Sequence, residues 1–357
     1  MKKIKRALIS VSDKNSLKKL IQTLNKFKIK LISSGGTYRE IKKLGFNCQE
    51  ISSYTNSPEI LEGRVKTLHP KIHGGILNQR KNKKHLKEIE ENNFKNIDLV
   101  IVNFYPFEET IRETSSHKKI IEKIDIGGPA LVRAAAKNYN DVTVITSINQ
   151  YNELILQLRK NRGSTDEEFR KRMSQEAFSE TAYYDSLIAN YFNKINLNQF
   201  PQKKIFHSKL IEKLRYGENP HQKSAIYSLD NSLNLKQISG KKLSFNNFND
   251  IYSALTISNS LPNNTGVVII KHANPCGVSI LQNKLKCYQA ALACDPISAF
   301  GGVVSCNFKI DTKIAKELNK IFLEVVIGNK FEKEALKILK RKKNLRIIDS
   351  SNLSFDQ

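Results

Sequence analysis

Arg64, Lys66 and Thr67 fall within four residues of one another in the run Gly63-Arg64-Val65-Lys66-Thr67-Leu68-His69-Pro70. In an extended segment side chains alternate faces, so Arg64 and Lys66 project the same way, toward one oxyanion. Arginine offers a planar fork matched to phosphate, and lysine a mobile point charge suited to developing negative charge. A solvated basic loop is the competing reading, and in a lysine-rich chain it would ordinarily prevail. A second segment argues against it. Ser33-Ser34-Gly35-Gly36-Thr37 follows the run Ile29-Lys30-Leu31-Ile32 and precedes a helical pattern. Glycines there let backbone N–H groups approach a phosphate closely, and the following helix adds its positive N-terminal end. Two anion-handling segments in one small domain point to a phosphorylated small molecule.

Two more segments, residues 10–14 and 103–105, carry polar groups next to apolar runs, and Asp125 and Lys137 flank a further turn and helix. Ser12, Lys14, Ser34, Gly35, Gly36, Thr37, Arg64 and Thr67 suit phosphate capture. Lys66, Tyr105, Asp125 and Lys137 are left as titratable groups for chemistry. Singly, each has a structural alternative: Tyr105 as a packed turn aromatic, Asp125 as a helix cap, Lys137 as a solvated helix terminus.

The elements that must position these groups alternate in type. Residues 7–11 read as a strand, with Ser12-Asp13 as the N-cap of an amphipathic helix running to about Phe27. Residues 30–33 read as the next strand, followed by the Gly35-Gly36 turn and a helix ending near Gly45. Residues 97–102 form a buried strand whose end, Asn103-Phe104-Tyr105-Pro106, lies where α/β sheets place ligands. Asp125-Ile126-Gly127-Gly128-Pro129 is a turn opening a helix over 130–137, and 142–146 is one more strand. The alternation predicts an α/β domain with a largely parallel sheet covered on both faces. Residues 148–193 are helical, a connecting segment, and 194–205 are a linker. A second α/β region follows, with the β run 266–270 ending at Lys271-His272.

Length and composition bound the rest. At 357 residues the chain is long enough for about two domains by the usual size prior. No run approaches the ~18 apolar residues of a membrane span. The basic start, Met1-Lys2-Lys3-Ile4-Lys5-Arg6, is followed by too short an apolar stretch for a signal peptide, so a cytoplasmic protein is expected. Five cysteines without a Cys-x-x-Cys pair imply reduced thiols. The net charge of +25 raises nucleic-acid binding as a rival reading. Lysine is spread along the whole chain, however, and no nucleic-acid module or zinc spacing accompanies it. Attraction of polyanionic metabolites is the expected consequence.

In order, the segments Ser10-Val11-Ser12-Asp13-Lys14, Ser34-Gly35-Gly36-Thr37, residues 63–70, Asn103-Phe104-Tyr105-Pro106-Phe107, Asp125-Ile126-Gly127-Gly128 and Arg133-Ala134-Ala135-Ala136-Lys137-Asn138 closely resemble the IMP cyclohydrolase half of the bifunctional purine biosynthesis family. That family couples this domain to an AICAR transformylase. The resemblance implies a methylglyoxal-synthase-like α/β fold for residues 1–147 and closure of the purine ring of formyl-AICAR to give IMP. It casts Lys66 as oxyanion stabiliser, Lys137 with Asp125 in proton transfer, and Tyr105 in orienting the carboxamide, with Asn103 among the substrate contacts. No metal is expected in that step.

The second region resembles the first, cytidine-deaminase-like lobe of the transformylase, over 206–357. Residues 214–222 match the segment that grips substrate, with Arg215 and Tyr216. Residues 245–250 match the next substrate loop, with Asn247 at the substrate position. Lys271-His272-Ala273-Asn274-Pro275-Cys276-Gly277 matches the catalytic segment. There His272 would take a proton from the aromatic amine while Lys271 stabilises charge on the formyl group donated by the co-substrate 10-formyltetrahydrofolate. Residues 295–302 place Gly301, with Glu324, near AICAR. The resemblance is read as far as Leu345, with residues 349–357 a polar tail. The family's second transformylase lobe is expected to be absent, leaving cyclohydrolase intact and transformylase impaired. The resemblance also implies a homodimer working on AICAR, formyl-AICAR and IMP, with neither nucleic acid nor membrane as partner. The rival from another class is a silent assembly subunit that needs a partner for the missing lobe.

Overall fold

The computed structural model describes residues 1–61, 65–229 and 235–353. The chain divides into two compact units, Met1–His207 and Ser208–Gln357.

In the first unit, five strands run parallel in the order Gln49–Glu50, Lys30–Ser33, Arg6–Val11, Leu99–Asn103 and Thr143–Ile145. Ala7, Leu8 and Ile9 of the central strand are wholly buried, as are Leu99 and Val100. Continuous apolar runs of this kind belong in a parallel sheet covered on both faces. The chain builds outward from Arg6–Val11 to one edge, then returns to its other side with Leu99–Asn103. The order therefore reverses between these two strands, and ligands of open α/β sheets bind outside the carboxyl ends at such a point.

The first helix corrects one expectation. It spans Leu17–Lys26 and buries Leu17, Leu20, Ile21 and Leu24, the stripe that a 3.6-residue period requires. Its N-cap is Ser16, not Ser12-Asp13: Asn103 holds the N–H groups of both residues, and the Asp13 carboxylate accepts from the Asn15 N–H, ahead of the helix. Gly35-Gly36 likewise is no separate turn but the first two residues of the helix Gly35–Lys43. The helix after Asp125 starts early too, at Gly127 rather than 130.

The helical stretch after residue 148 packs onto this unit. Its longest helix, Glu167–Ile195, is capped by Asp166, whose Oδ1 accepts from the Phe169 N–H at 2.7 Å. It lies against the helix Gly127–Lys137 and the strand Thr143–Ile145. Arg170, 2% exposed, donates to the carbonyls of Tyr139, Asn140 and Thr165, and Ser174 Oγ donates to Ala136 O. Buried donors and acceptors matched in this way make the helix part of the unit's core.

The second unit holds a six-stranded mixed sheet, in the order Lys236–Ser239, Arg346–Asp349, Val325–Gly328, Val303–Cys306, Gly266–Lys271 and Asn274–Ile280. Alternate residues of its strands feed two cores. Val267 and Ile269 pack with Tyr288, Ile314 and Leu339, whereas Val268 and Ile270 pack with Ile251, Ala254 and Leu255 of the helix Phe245–Ser260. Asp349 is the end of a strand paired with Lys236 and Gly328, so the expected tail does not begin there. Residues 354–357 of that tail lie outside the described residues. Lys209–Lys213 and Ala225–Ser228 pair as a separate two-stranded hairpin. Among the described residues no helix is long and apolar enough to cross a membrane.

Candidate active site

Asn103 ends the strand Leu99–Asn103, and its side chain ties together the two strand ends at the point of reversal. Its Oδ1 accepts from the Ser12 N–H (2.6 Å), Ser12 Oγ (2.9 Å) and the Asp13 N–H (3.1 Å), while its Nδ2 donates to Asp13 O. Ser12 Oγ also lies 2.6 Å from Phe104 O. The loop so held carries Lys14 to the start of the helix Gly35–Lys43, where a Cβ built on Gly36 would sit 3.5 Å from Lys14 Nζ. A Cβ on Gly35 would sit 3.1 Å from Lys66 Nζ, at a residue whose φ of +52° already favours glycine. Two ammonium groups thus lie against consecutive residues of one helix N-terminus. Ser34, the N-cap, makes no side-chain cap bond, and no acidic residue occupies the first turn. The four first N–H groups of a helix have no partner within it, so this end has donors to offer an anion.

Thr37 takes a different part from the one its position suggests. Only 4% exposed, its hydroxyl accepts from the Val11 N–H and donates to Val11 O, both at 3.0 Å. That bond ties the helix to the central strand. Arg64 lies outside the described residues.

Thr67, beside Lys66, abuts a second helix start: a Cβ on Gly127 would come within 2.6 Å of Thr67 Oγ1. The N-cap here, Ile126, offers no side-chain bond, but Asp125 just before it does. Asp125 Oδ1 accepts from the Gly128 N–H at 2.8 Å, and a Cβ on Gly128 would collide with the carboxylate. Burial lifts the Asp125 carboxyl above its ordinary value, opposed by hydrogen bonds from the Gly128 and Tyr105 backbone. Tyr105 is exposed, with Lys123 Nζ 5.6 Å from its ring centre. Lys66 Nζ meets Glu59 Oε1 at 2.5 Å. Lys137 is not brought here. It is exposed at the far end of the helix Gly127–Lys137, about 15 Å along the axis at 1.5 Å per residue.

A separate constellation sits in the second unit. Lys271 and Asn274 pair across a two-residue turn, His272-Ala273, with φ of +53° and +62°. Both values positive is the type I′ hairpin geometry, which normally selects Asn-Gly. His272 and Ala273 are held in it by Asp250 Oδ1, which accepts from the Ala273 N–H at 2.7 Å. Strain of this kind persists where surrounding contacts enforce it, and it sets His272 out at the hairpin tip. Lys271 Nζ donates to Phe300 O at 2.8 Å, next to Gly301, whose φ is +76°. Asn247, 2% exposed, donates through Nδ2 to Glu324 Oε2 at 2.7 Å, and Arg346 Nη1 lies 3.5 Å from the same oxygen. Asn247 also closes a capping box with Ser244. Arg215 and Tyr216 occupy the hairpin loop, the guanidinium 5.9 Å from the ring centre, with Tyr216 O accepting from Ser224 Oγ. The described contacts do not join Arg215 to Lys271 or His272.

Comparison with known proteins decides the family. The profile described as "AICARFT/IMPCHase bienzyme" matches residues 135–356, and that of the MGS-like domain matches residues 16–130. The chain is similar to the bifunctional purine biosynthesis protein PurH of Thermoanaerobacter sp., at 46% identity over 349 residues, 96% of this chain and 68% of that one. It is 44% identical to the PurH of Clostridioides difficile and 45% identical to that of Prochlorococcus marinus, each again aligned over 96% of this chain and 68% of the relative. The chain belongs to the AICARFT/IMPCHase bienzyme family.

The bienzyme profile continues to residue 356, beyond the Leu345 at which the motifs alone stop. Short strands such as Arg346–Asp349 carry no chemistry to mark them, yet Ile347 and Ile348 are fully buried in the sheet. The profile also takes in the long helix Glu167–Ile195, which its sequence presents only as a connection. Several groups around the two bienzyme constellations escape sequence reasoning: Glu59 on Lys66, Tyr184 near Asp125, and Arg346 on Glu324. The last two touch their partners across an intervening element, and no local pattern signals such a contact.

Proposed function

We propose that the unit Met1–His207 is an IMP cyclohydrolase, closing formyl-AICAR to IMP, and that 206–357 belong to the AICAR transformylase. Within this reading residues 1–147 form the cyclohydrolase domain and 148–205 its helical extension. The observation that carries it is the contrast between two neighbouring helix starts. One is uncapped and flanked by Lys14 and Lys66; the other is capped by a carboxylate lifted by burial. The open end takes the substrate's phosphate, with the N–H groups of Gly35-Gly36 and the Lys14 ammonium as donors. Lys66-Thr67 spans from that end to the other, and so sets the distance between phosphate and reacting centre.

At the reacting centre the carboxamide nitrogen attacks the formyl carbon. Negative charge grows on the formyl oxygen, and Lys66 stabilises it. Asp125 takes one proton from the attacking nitrogen and passes it to the formyl oxygen, and that oxygen leaves as water with the formamide N–H proton as its second hydrogen while the C=N bond of IMP forms. A carboxylate base with a raised pKa is matched better to this task at neutral pH. Turnover must then fall on the acid side as Asp125 is protonated, with the midpoint above the ordinary carboxylate range. In Asp125→Asn that acid limb and most of the activity disappear. Purified chain supplied with formyl-AICAR and followed for IMP over pH is the experiment; turnover indifferent to Asp125→Asn removes the proposal.

Lys137, as a proton-transfer group, reaches this centre only from a second copy of the chain, since a length of helix separates it from Asp125 in its own subunit. The homodimer implied by the family resemblance supplies such a copy. Mixing inactive Lys66→Ala and Lys137→Ala subunits then regenerates a fraction of intact sites. No recovery on mixing excludes the shared arrangement.

A further inference from the structure

Tyr184 lies midway along the helix Glu167–Ile195 and is 4% exposed. Its hydroxyl accepts from the Asp125 N–H at 2.8 Å and donates to Lys123 O at 3.1 Å. Its ring rests against Phe104 and Phe107, with centroid separations of 5.0 and 6.1 Å. Those two residues flank Tyr105, whose backbone N–H lies close enough to the Asp125 carboxyl to hold its pKa down. One side chain therefore holds both segments that meet at Asp125: the 123–125 turn by its oxygen, and the 104–107 strand end by its ring.

We propose that Tyr184 is a positioning residue for the cyclohydrolase step, and that the long helix carrying it is a working part of that site rather than a connection between units. The inference rests on the reading of Asp125 as the base. Tyr184 makes no claim on the substrate; it acts through Asp125. A base must sit within hydrogen-bond reach of the proton it abstracts, and displacement by an ångström costs much of the rate. The same brace sets when Asp125 titrates. Burial raises the Asp125 pKa, and the Gly128 and Tyr105 N–H groups hold it down. Tyr105, Lys123, Tyr184 and Asp185 are the other titratable groups facing this corner. Burial pushes the Tyr184 hydroxyl up to about 12, so it stays a neutral donor across the working range. Without the brace the Tyr105 N–H drifts from the carboxylate, burial is less opposed, and the pKa rises further.

The test compares Tyr184→Phe, Phe104→Leu, Asp125→Asn and Tyr191→Phe in the full chain with formyl-AICAR as substrate. Tyr191 shares the helix but bonds His117 instead, and serves as the control for loss of a hydroxyl. Tyr184→Phe is expected to lower kcat roughly ten- to a hundredfold, with KM within about twofold, because positioning and not substrate affinity is lost. The acid limb of its pH profile moves to higher pH. Phe104→Leu, acting on the ring side of the brace, shifts the limb the same way by less, and Tyr191→Phe shifts neither quantity. An acid limb and kcat unchanged in both Tyr184→Phe and Phe104→Leu, while Asp125→Asn inactivates, overturns the brace alone. Full activity in Asp125→Asn overturns the reading beneath it.

Discussion

Lys66→Ala lowers turnover of formyl-AICAR by about 10²–10³, the effect of removing one donor from an oxyanion site. Its affinity for IMP falls far less. The asymmetry follows from what remains at each end once the ammonium is gone. Lys66 Nζ lies against Gly35 at the open helix start, while Thr67 touches Gly127 at the capped one. The phosphate keeps Lys14 and the helix N–H groups when Lys66 is lost, whereas the developing formyl oxyanion loses its cation. Glu59 now pairs with Lys66. An arriving anion competes with that carboxylate, a partly exposed pair of the kind that contributes roughly 0–1 kcal/mol and yields readily. Isothermal titration with IMP alongside steady-state rates separates the two quantities. Near-normal kcat in Lys66→Ala shows that the oxyanion is stabilised by something else.

The second large effect concerns formyl transfer. Residues 1–357 hold Lys271, His272, Asn247 and Glu324 in one unit, yet align with only 68% of the length of the PurH relatives. We propose that these residues, assayed as they stand, transfer formyl from 10-formyltetrahydrofolate to AICAR negligibly. Donor and acceptor must be held at near-attack distance, and well-oriented partners gain effective molarities of about 10⁵–10⁸ M. His272 on a strained hairpin tip is suited to approach by a second body, since it is exposed and its turn is enforced from below by Asp250. Supplying the remaining part of a PurH chain in trans is expected to restore transfer, and His272→Ala to abolish what is restored. Robust transfer by residues 1–357 alone contradicts the proposal, as does restored transfer that survives His272→Ala.

Much of the first sheet was legible because its strands are unbroken apolar runs and its ligand segments follow their carboxyl ends. The helix starts were less so. Ser12-Asp13 has the residue types of an N-cap, but Asn103, some ninety positions later, takes the N–H groups of both residues and fixes them as a loop, so the helix begins only after Ser16. Thr37 likewise reads as an anion ligand from its neighbours, and only the folded chain shows its hydroxyl turned onto Val11. Lys137 is the converse case. Its motif marks it, yet its place at the end of a helix keeps it from Asp125 within one subunit. Tyr184, missed altogether, acts through tertiary contacts from a helix to a strand end and a turn. Residue type and spacing carry no trace of these.

The central claim is that the open helix start at Gly35-Gly36 holds the phosphate and that the capped one at Asp125 faces the purine ring. A crystal structure of the chain with IMP tests it most directly. The expected complex has its phosphate on the N–H groups of Gly35 and Gly36, beside Lys14, with the base directed toward Lys66 and Asp125 and the Lys66–Glu59 pair opened. IMP seated with its phosphate at any other position, or bound with the Asp125 carboxylate facing away from the ring, contradicts it.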